Sequence, residues 1–395
     1  MNVLFLGYVV PPEEAGSLSG ISIAGNNMQW NVIKNLAKYP DINITCLTLT
    51  PIATFPRDKK VYQNSDEIDL GENITAKRVK FINLPVIKQF SQIINMCIES
   101  KKVVKENPDA IVLGYNMFPQ IGIPIKRLKN KYKGINTVCL LADLPIDDNK
   151  KRGIGSKLLR FFFDKSTRSN LSICDQYIVL NKYVGETFIE GKEYIVIDGG
   201  IDEKNISIGD TLSYDKRRKN IIYSGALTEY SGIMNLIKAM DYVKDTDALL
   251  EIYGGGYLKD EIEEIVKEKK NVKYCGKVDN KTMLFVQQRA YLLVNPRPVD
   301  DEISQVTFPS KMFEYMSSGT AVLSTELNGL TEDYLKNIYH IKSNEPHLLA
   351  EKIDEILRAD TKTLQKLALC AREFIFTNKT WKLQSEKIHT FLENN

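Results

Sequence analysis

The stretch "NIIYSGALTEYSGIMNLIKAM", Asn220–Met240, is a short β-branched run, a turn punctuated by Gly225 and Gly232, and an amphipathic helical segment. That strand, glycine turn and helix order is the start of a βα unit, and it arrives in mid-chain as a fresh beginning. Before it, apolar runs fit strands over Asn2–Leu6, Asn43–Leu49, Thr75–Asn83, Ala110–Gly114, Asn136–Leu141 and Gln176–Leu180, with helices such as Asn27–Tyr39 and Ile87–Glu106 between them. After it come Ala248–Tyr253, Val272–Cys275, Tyr291–Asn295 and Ala321–Ser324. The expectation is an α/β chain of two Rossmann-like, doubly wound domains facing a central cleft, with ligands at the carboxyl ends of both sheets. The linker is expected between Gly199 and Lys219, through the polar run Tyr214-Asp-Lys-Arg-Arg-Lys.

Composition narrows the function. With 43% hydrophobic and 26% charged residues, the 395-residue chain suits a globular protein of about two domains. No apolar run reaches the roughly 18 to 20 residues of a membrane span, and the start Met1-Asn-Val-Leu-Phe-Leu-Gly lacks the marks of a secretory signal. A net charge of +3 does not by itself suggest nucleic acid, and no nucleic-acid-binding signature is present. The six cysteines are scattered without a C-x-x-C, as reduced, buried thiols of the cytoplasm would be. Histidine occurs only at 340, 347 and 389, which argues against a His-ligated zinc, a Ser-His-Asp triad or a histidine base in the first domain.

Two glycine-bearing segments suit an anionic ligand. The first strand runs into a turn containing Gly16, Gly20 and Gly25 before a helix, though without the G-x-G-x-x-G spacing of a dinucleotide site. The second is "VTFPSKMFEYMSSG", Val306–Gly319, where a proline opens a short helix and Gly319 fits its left-handed stop. Amides around Ser310 and the Lys311 ammonium suit a diphosphate, and Glu314, on the same face, suits two ribose hydroxyls. Taken alone, Lys311 and Glu314 fit a surface ion pair equally well.

The segment "FPSKMFEYMSSGTAV" resembles the nucleotide-sugar motif of the retaining family 4 glycosyltransferases of GT-B fold, especially the branch that builds bacterial surface polysaccharides. The resemblance extends over most of the chain through "VIDGGID", "IIYSGALTEYSGIMNLIKAM", "LLEIYGGGYLKDEI", "NVKYCGKVDNKTM" and the closing "KTWKLQSEKI". It implies an acceptor-binding domain over 1–200, a nucleotide-sugar domain over 201–376, and a helix over 377–395 that returns to the first domain. It also implies that Glu314 binds the ribose, that Phe308, Pro309, Ser310 and Lys311 hold the diphosphate and sugar, and that Gly276, Lys277 and Val278 edge the base. Gly225 would lie at the donor, Gly20 against the phosphates, and Asp143 toward the reacting sugar.

The chain departs from the family at four places. A glutamate eight residues before the ribose-binding one is Val306, an Arg and a Lys after the first strand of the second domain are Ala226 and Ser231, and a histidine before the Asp143 position is Ala142. Glu302, in the acidic loop from Asp300, is the candidate replacement for the glutamate, and Arg297 with Lys311 for the two cations. Arg297 fits a strand-end cap or a pair with Asp300 as an alternative.

The resemblance implies a retaining, metal-independent hexosyltransferase without cofactor. It would use a nucleoside diphosphate sugar, UDP favoured, on a saccharide or lipid-linked saccharide in capsule, exopolysaccharide or O-antigen type synthesis. The alternative is a non-catalytic GT-B partner subunit of an active transferase. The basic, aromatic segment Lys150–Arg168 reads as weak peripheral contact with the inner face of the cell membrane, or as a basic helix packed on the core.

Overall fold

The computed structural model describes residues 1–144, 154–202, 214 and 217–394, with the backbone alone for 154–160 and 162. The chain forms two compact units, residues 1–199 with 381–395, and residues 200–380. Both are α/β.

The first unit is built on strands β1 (Asn2–Gly7), β2 (Asn43–Thr48), β3 (Tyr62–Gln63), β4 (Glu67–Ile68), β5 (Ile74–Arg78), β6 (Phe81–Ile82), β7 (Ile111–Tyr115), β8 (Thr137–Leu141), β9 (Gln176–Val179) and β10 (Glu193–Val196). Eight of them form one sheet in the order β10-β9-β8-β7-β1-β2-β5-β4, parallel except for the β4–β5 pair. Strands β3 and β6 make a separate antiparallel ribbon. The reading of Thr75–Asn83 as one strand is therefore corrected: the chain leaves the sheet at Val79–Lys80 and pairs elsewhere.

Right-handed crossovers leaving β1 in opposite directions must place their helices on opposite faces. One face carries Ile23–Leu36 and the C-terminal helix Trp381–Glu393, which pack together over Val3, Phe5, Ile44 and Cys46. Ile87–Glu106, Pro119–Lys131 and Ile154–Asn170 pack side by side in turn. Trp381, Ile388, Phe391 and Leu392 are buried in the first unit's core, so the last helix belongs to it physically. His389 stacks on Tyr39 with ring centroids 4.2 Å apart and meets the Asp41 carboxylate at 3.0 Å.

The second unit comprises β11 (Asn220–Ala226), β12 (Leu249–Gly255), β13 (Val272–Gly276), β14 (Leu292–Asn295), β15 (Ala321–Thr325) and β16 (Tyr339–Ile341). They form a parallel sheet in the order β13-β12-β11-β14-β15-β16, the 3-2-1-4-5-6 order of a dinucleotide-binding sheet. The order reverses between β11 and β14, so the ends of these two strands border the crevice where such sheets bind ligands. Residues 203–213 and 215–216 of the expected linker lie outside the described residues. Of the cysteines, Cys46, Cys139 and Cys174 are buried, whereas Cys370 is exposed.

Candidate functional site

In the second unit, three adjacent strands carry glycine at or beside their carboxyl ends. Gly225 is the last residue but one of β11, Gly254 and Gly255 close β12, and Gly276 closes β13. Two of these are constrained. A Cβ on Gly254 would lie 1.9 Å from the Gly225 carbonyl oxygen, whereas Gly225 is set by its backbone, φ 150°, and a Cβ there would meet only the movable end of Lys311 at 2.9 Å. Gly225 thus leaves the opening into which Lys311 reaches from the helix Lys311–Ser317.

That helix is locked to β11 from beneath. The Ser224 N–H donates to the Tyr315 hydroxyl at 2.8 Å, and this hydroxyl lies 3.2 Å from the Ser224 carbonyl oxygen, to which it can donate in return. Both residues are buried. The helix begins two residues later than Pro309 suggested, with Ser310 as its cap and Gly319, φ 75°, as the left-handed stop. Lys311 and Glu314 are held one turn apart on the face next to Tyr315.

Among the described residues, the two cations of the site form no ion pair, although Glu314 acts on Lys311 and Asp301 on Arg297 at longer range. Lys311 Nζ sits over the Tyr223 ring, 4.0 Å from its centroid. Arg297, just past the end of β14, donates to Thr307 Oγ1 at 3.1 Å and lies 5.9 Å from the Tyr230 ring centroid. Among the described residues, neither has a carboxylate within salt-bridge distance. The surface Lys311–Glu314 pair is not formed, nor is an Arg297–Asp300 pair. Burial pushes the Lys311 ammonium well below the ordinary lysine range, the Arg297 charge adds to this, and Glu314 opposes it. Arg297 is lowered by burial in the same way. Two adjacent cations kept off carboxylates are an arrangement that suits an anionic group.

Burial raises the Glu314 carboxyl above its ordinary range, opposed by Gln287 and Lys311. Gln287 Nε2 lies 3.4 Å from Glu314 Oε2 and 3.2 Å from Ser224 Oγ, tying helix Asn280–Arg289 to both. Tyr223, Tyr230 and Gln287 went unnoticed in the sequence; their residue types signal only strand, turn and helix.

The other expected residues are placed less uniformly. The Phe308 ring is buried, stacked 4.7 Å from Phe313 and tilted against Tyr334, so it serves the core; Pro309 is buried and Ser310 exposed. Gly276, φ 77°, turns the chain so that Lys277 and Val278 are exposed beyond β13. Glu302 is exposed at the start of a short helix capped by Asp301, while Val306, where the family has a glutamate, is buried. Ala226 ends β11, and Ser231 is buried in a 3-10 turn, Glu229–Ser231, where it hydrogen-bonds Thr228.

Asp143 and Gly20 belong to the first unit. Asn116, held at φ 58°, accepts from the Ala142 and Asp143 N–H groups and donates to the Asp143 carboxylate at 3.2 Å, which fixes that loop at the end of β8. Gly20 packs on the strand-end loop after β2: its N–H donates to Pro51 O at 3.1 Å, and a Cβ would lie 2.7 Å from the Ile52 carbonyl carbon. Close packing alone accounts for this glycine.

The fold, two Rossmann-like α/β units, matches that of GT-B glycosyltransferase structures. Over residues 218–359 the chain matches the protein family described as glycosyl transferases group 1. Among solved structures it is similar to sucrose-phosphate synthase from Thermosynechococcus elongatus, with TM-score 0.71 and 16% identity over 99% of this chain and 98% of that one. It is also similar to the lipopolysaccharide outer core galactosyltransferase WaaB, with TM-score 0.70 and 13% identity over 100% and 99% of the two chains. Anabaena HepE in complex with UDP gives TM-score 0.68 and 14% identity over the whole of both chains. No curated protein sequence matches this chain.

Proposed function

We propose that this chain is a glycosyltransferase that moves a sugar, with retention, from a nucleoside diphosphate sugar to a saccharide acceptor. UDP is the favoured carrier, and a lipid-linked acceptor of surface-polysaccharide type the favoured partner. The observation that carries the reading is the pair Arg297, just past β14, and Lys311, over Tyr223 of β11, neither in an ion pair among the described residues, with Glu314 one helical turn beyond Lys311. The similarity to a UDP-bound structure supports the choice of carrier.

In this reading the bond from the anomeric carbon to the phosphate oxygen breaks and one to the acceptor oxygen forms. The acceptor proton passes to the departing phosphate oxygen on the same face, so no histidine base is required. Arg297 and Lys311 neutralise the diphosphate as its charge grows, a stabilisation of roughly 3 kcal/mol for each placed cation. Glu314 accepts the ribose hydroxyls, Gly276, Lys277 and Val278 edge the base, and the Phe308–Lys311 backbone lies along the phosphates. Glu302 is assigned to the sugar hydroxyls, and Asp143 to the reacting sugar. Such a site acts through orientation and charge, and the reading calls for no metal.

Arg297→Ala and Lys311→Ala are each expected to lower turnover about a hundredfold or more. Unchanged turnover in both would sink the assignment. A second reading, a non-catalytic partner subunit, is favoured by Ala226, Ser231 and Val306 at positions where the family carries charge. Nucleotide binding with no transfer to any acceptor would select it.

A further inference from the structure

The helix Ile87–Glu106 carries an apolar stripe on its solvent side. It buries Gln92, Ile93, Met96, Ser100 and Val104 against the first unit. On the opposite side, at spacings of three and four residues, stand Ile87, Phe90, Ile94 and Ile98. All four are exposed, Phe90 by 55% and Ile94 by 54%. The adjoining ribbon widens the stripe: Ile82 donates its N–H to Ser91 Oγ at 3.0 Å, and both Ile82 and its register partner Tyr62 are exposed. A contiguous exposed apolar patch of this kind marks an interaction surface.

The charges around it say what the surface meets. In sequence order the stripe is followed by Lys101 and Lys105, both exposed. Helix Pro119–Lys131 packs alongside and offers exposed Lys126 and Lys131. Cys97, next to Ile94 and Ile98 on the helix surface, interacts with Arg127, which brings that guanidinium to the edge of the stripe. From Val86 to Gly134 there are nine Lys and Arg against three Asp and Glu, and Glu99 is already paired with Lys77 and Lys102. Apolar residues on the solvent face of a helix, bordered by cations, match the boundary between acyl chains and anionic headgroups. A second copy fits worse, because pairing this face with itself would set positive charge against positive charge.

We propose that the exposed face of Ile87–Glu106 docks on an anionic lipid bilayer, with Phe90, Ile94 and their two neighbours entering the headgroup layer and the bordering lysines meeting lipid phosphates. Among the described residues no helix is long and apolar enough to cross a membrane. This surface is distinct from the expected segment Lys150–Arg168, of which residues 150–153 and the side chains of Leu158 and Phe162 lie outside the described residues. It also stands apart from the transferase reading, since docking is measured without donor or acceptor.

The test is cosedimentation of the full chain with phosphatidylcholine vesicles, with and without phosphatidylglycerol. The wild type is expected to sediment with the anionic vesicles and to be released as salt rises. Phe90→Ser with Ile94→Ser, both on the surface, should lower partitioning about tenfold or more, from the apolar area withdrawn. Lys101→Glu with Lys105→Glu should lower it as well, and Phe90→Trp should shift its emission to the blue on anionic vesicles. Unchanged thermal melting of each variant checks that the fold is kept. A wild type that stays in the supernatant, or that partitions equally well after both double substitutions, overturns the proposal. So does a concentration-dependent dimer that Phe90→Ser with Ile94→Ser dissolves, because it assigns the face to a second copy.

Discussion

Lys311 is the residue on which stability and binding pull in opposite directions. Its ammonium is buried beside Arg297 and has the Tyr223 ring in place of a carboxylate. Removing such a charge while keeping the stem should relieve the unliganded fold, so Lys311→Met is expected to raise its stability by about 1 kcal/mol. The same change should weaken nucleoside diphosphate binding. A lower melting temperature for the unliganded variant would contradict this.

The pH dependence follows from the same two groups. The folded Lys311 pKa is depressed below 10.5, so the free site loses its proton more readily than the unfolded chain does, and burial of the ammonium costs stability below the folded value. A bound diphosphate holds that proton in place. Binding therefore takes up protons, and affinity falls as pH rises through the window below 10.5. Glu314 is raised above 4.5, so affinity falls again as pH drops through its raised value and the carboxylate needed for the ribose is lost. Titration calorimetry in buffers of differing ionisation enthalpy reads both limbs; affinity independent of pH on both sides would refute the pairing.

Of these residues, Lys311 and Glu314 were legible because their spacing on one short helix is a local property. Tyr223 and Gln287 were not, because their roles come from the meeting of β11 with two helices, which no single segment encodes. Phe308 illustrates the converse: a motif residue whose ring serves the core beside Phe313 and Tyr334.

Among the elements, the turn between β11 and its helix carries the most constraint. Gly232 has φ 73° and joins the 3-10 turn Glu229–Ser231 to the helix Ile233–Ala239. A Cβ there would lie 1.8 Å from the Pro296 carbonyl oxygen and 3.2 Å from the Arg297 amide nitrogen. Gly232→Ala must therefore strain the backbone or displace the strand end that carries Arg297, at a cost of at least about 2 kcal/mol. Chemical denaturation measures the loss, and a variant as stable as the wild type would refute the constraint. Strand positions in both units were readable from β-branched runs, but not where hydrogen-bonding partners change. Val79–Lys80 looks continuous in sequence, yet there the chain passes from the main sheet to the β3–β6 ribbon. The helix Ile23–Leu36 starts earlier than its apolar pattern because Ser22 Oγ accepts from the Gly25 N–H.

At the scale of the whole molecule, each unit repeats one plan, a sheet parallel but for the β4 edge of the first unit, which reverses its order next to its first strand. The mid-chain restart at Asn220 made that plan legible, whereas the closing helix was expected only from the resemblance of "KTWKLQSEKI", and Trp381, Ile388 and Phe391 bury its face in the first unit's core. Acceptor choice was not legible, since it depends on loops that follow no periodic pattern. The central claim is that the second unit holds a nucleoside diphosphate between the Arg297 and Lys311 cations and Glu314. Thermal melting of the full chain with UDP, GDP, dTDP and CMP, for the wild type and Glu314→Ala, tests it most directly. Binding to the native state raises the melting temperature by mass action, equivalent to about 2.7 kcal/mol at a hundred times Kd. The account predicts that one nucleoside diphosphate, UDP first, stabilises the wild type and not Glu314→Ala. No stabilisation by any of the four, or equal stabilisation of both proteins, would contradict it.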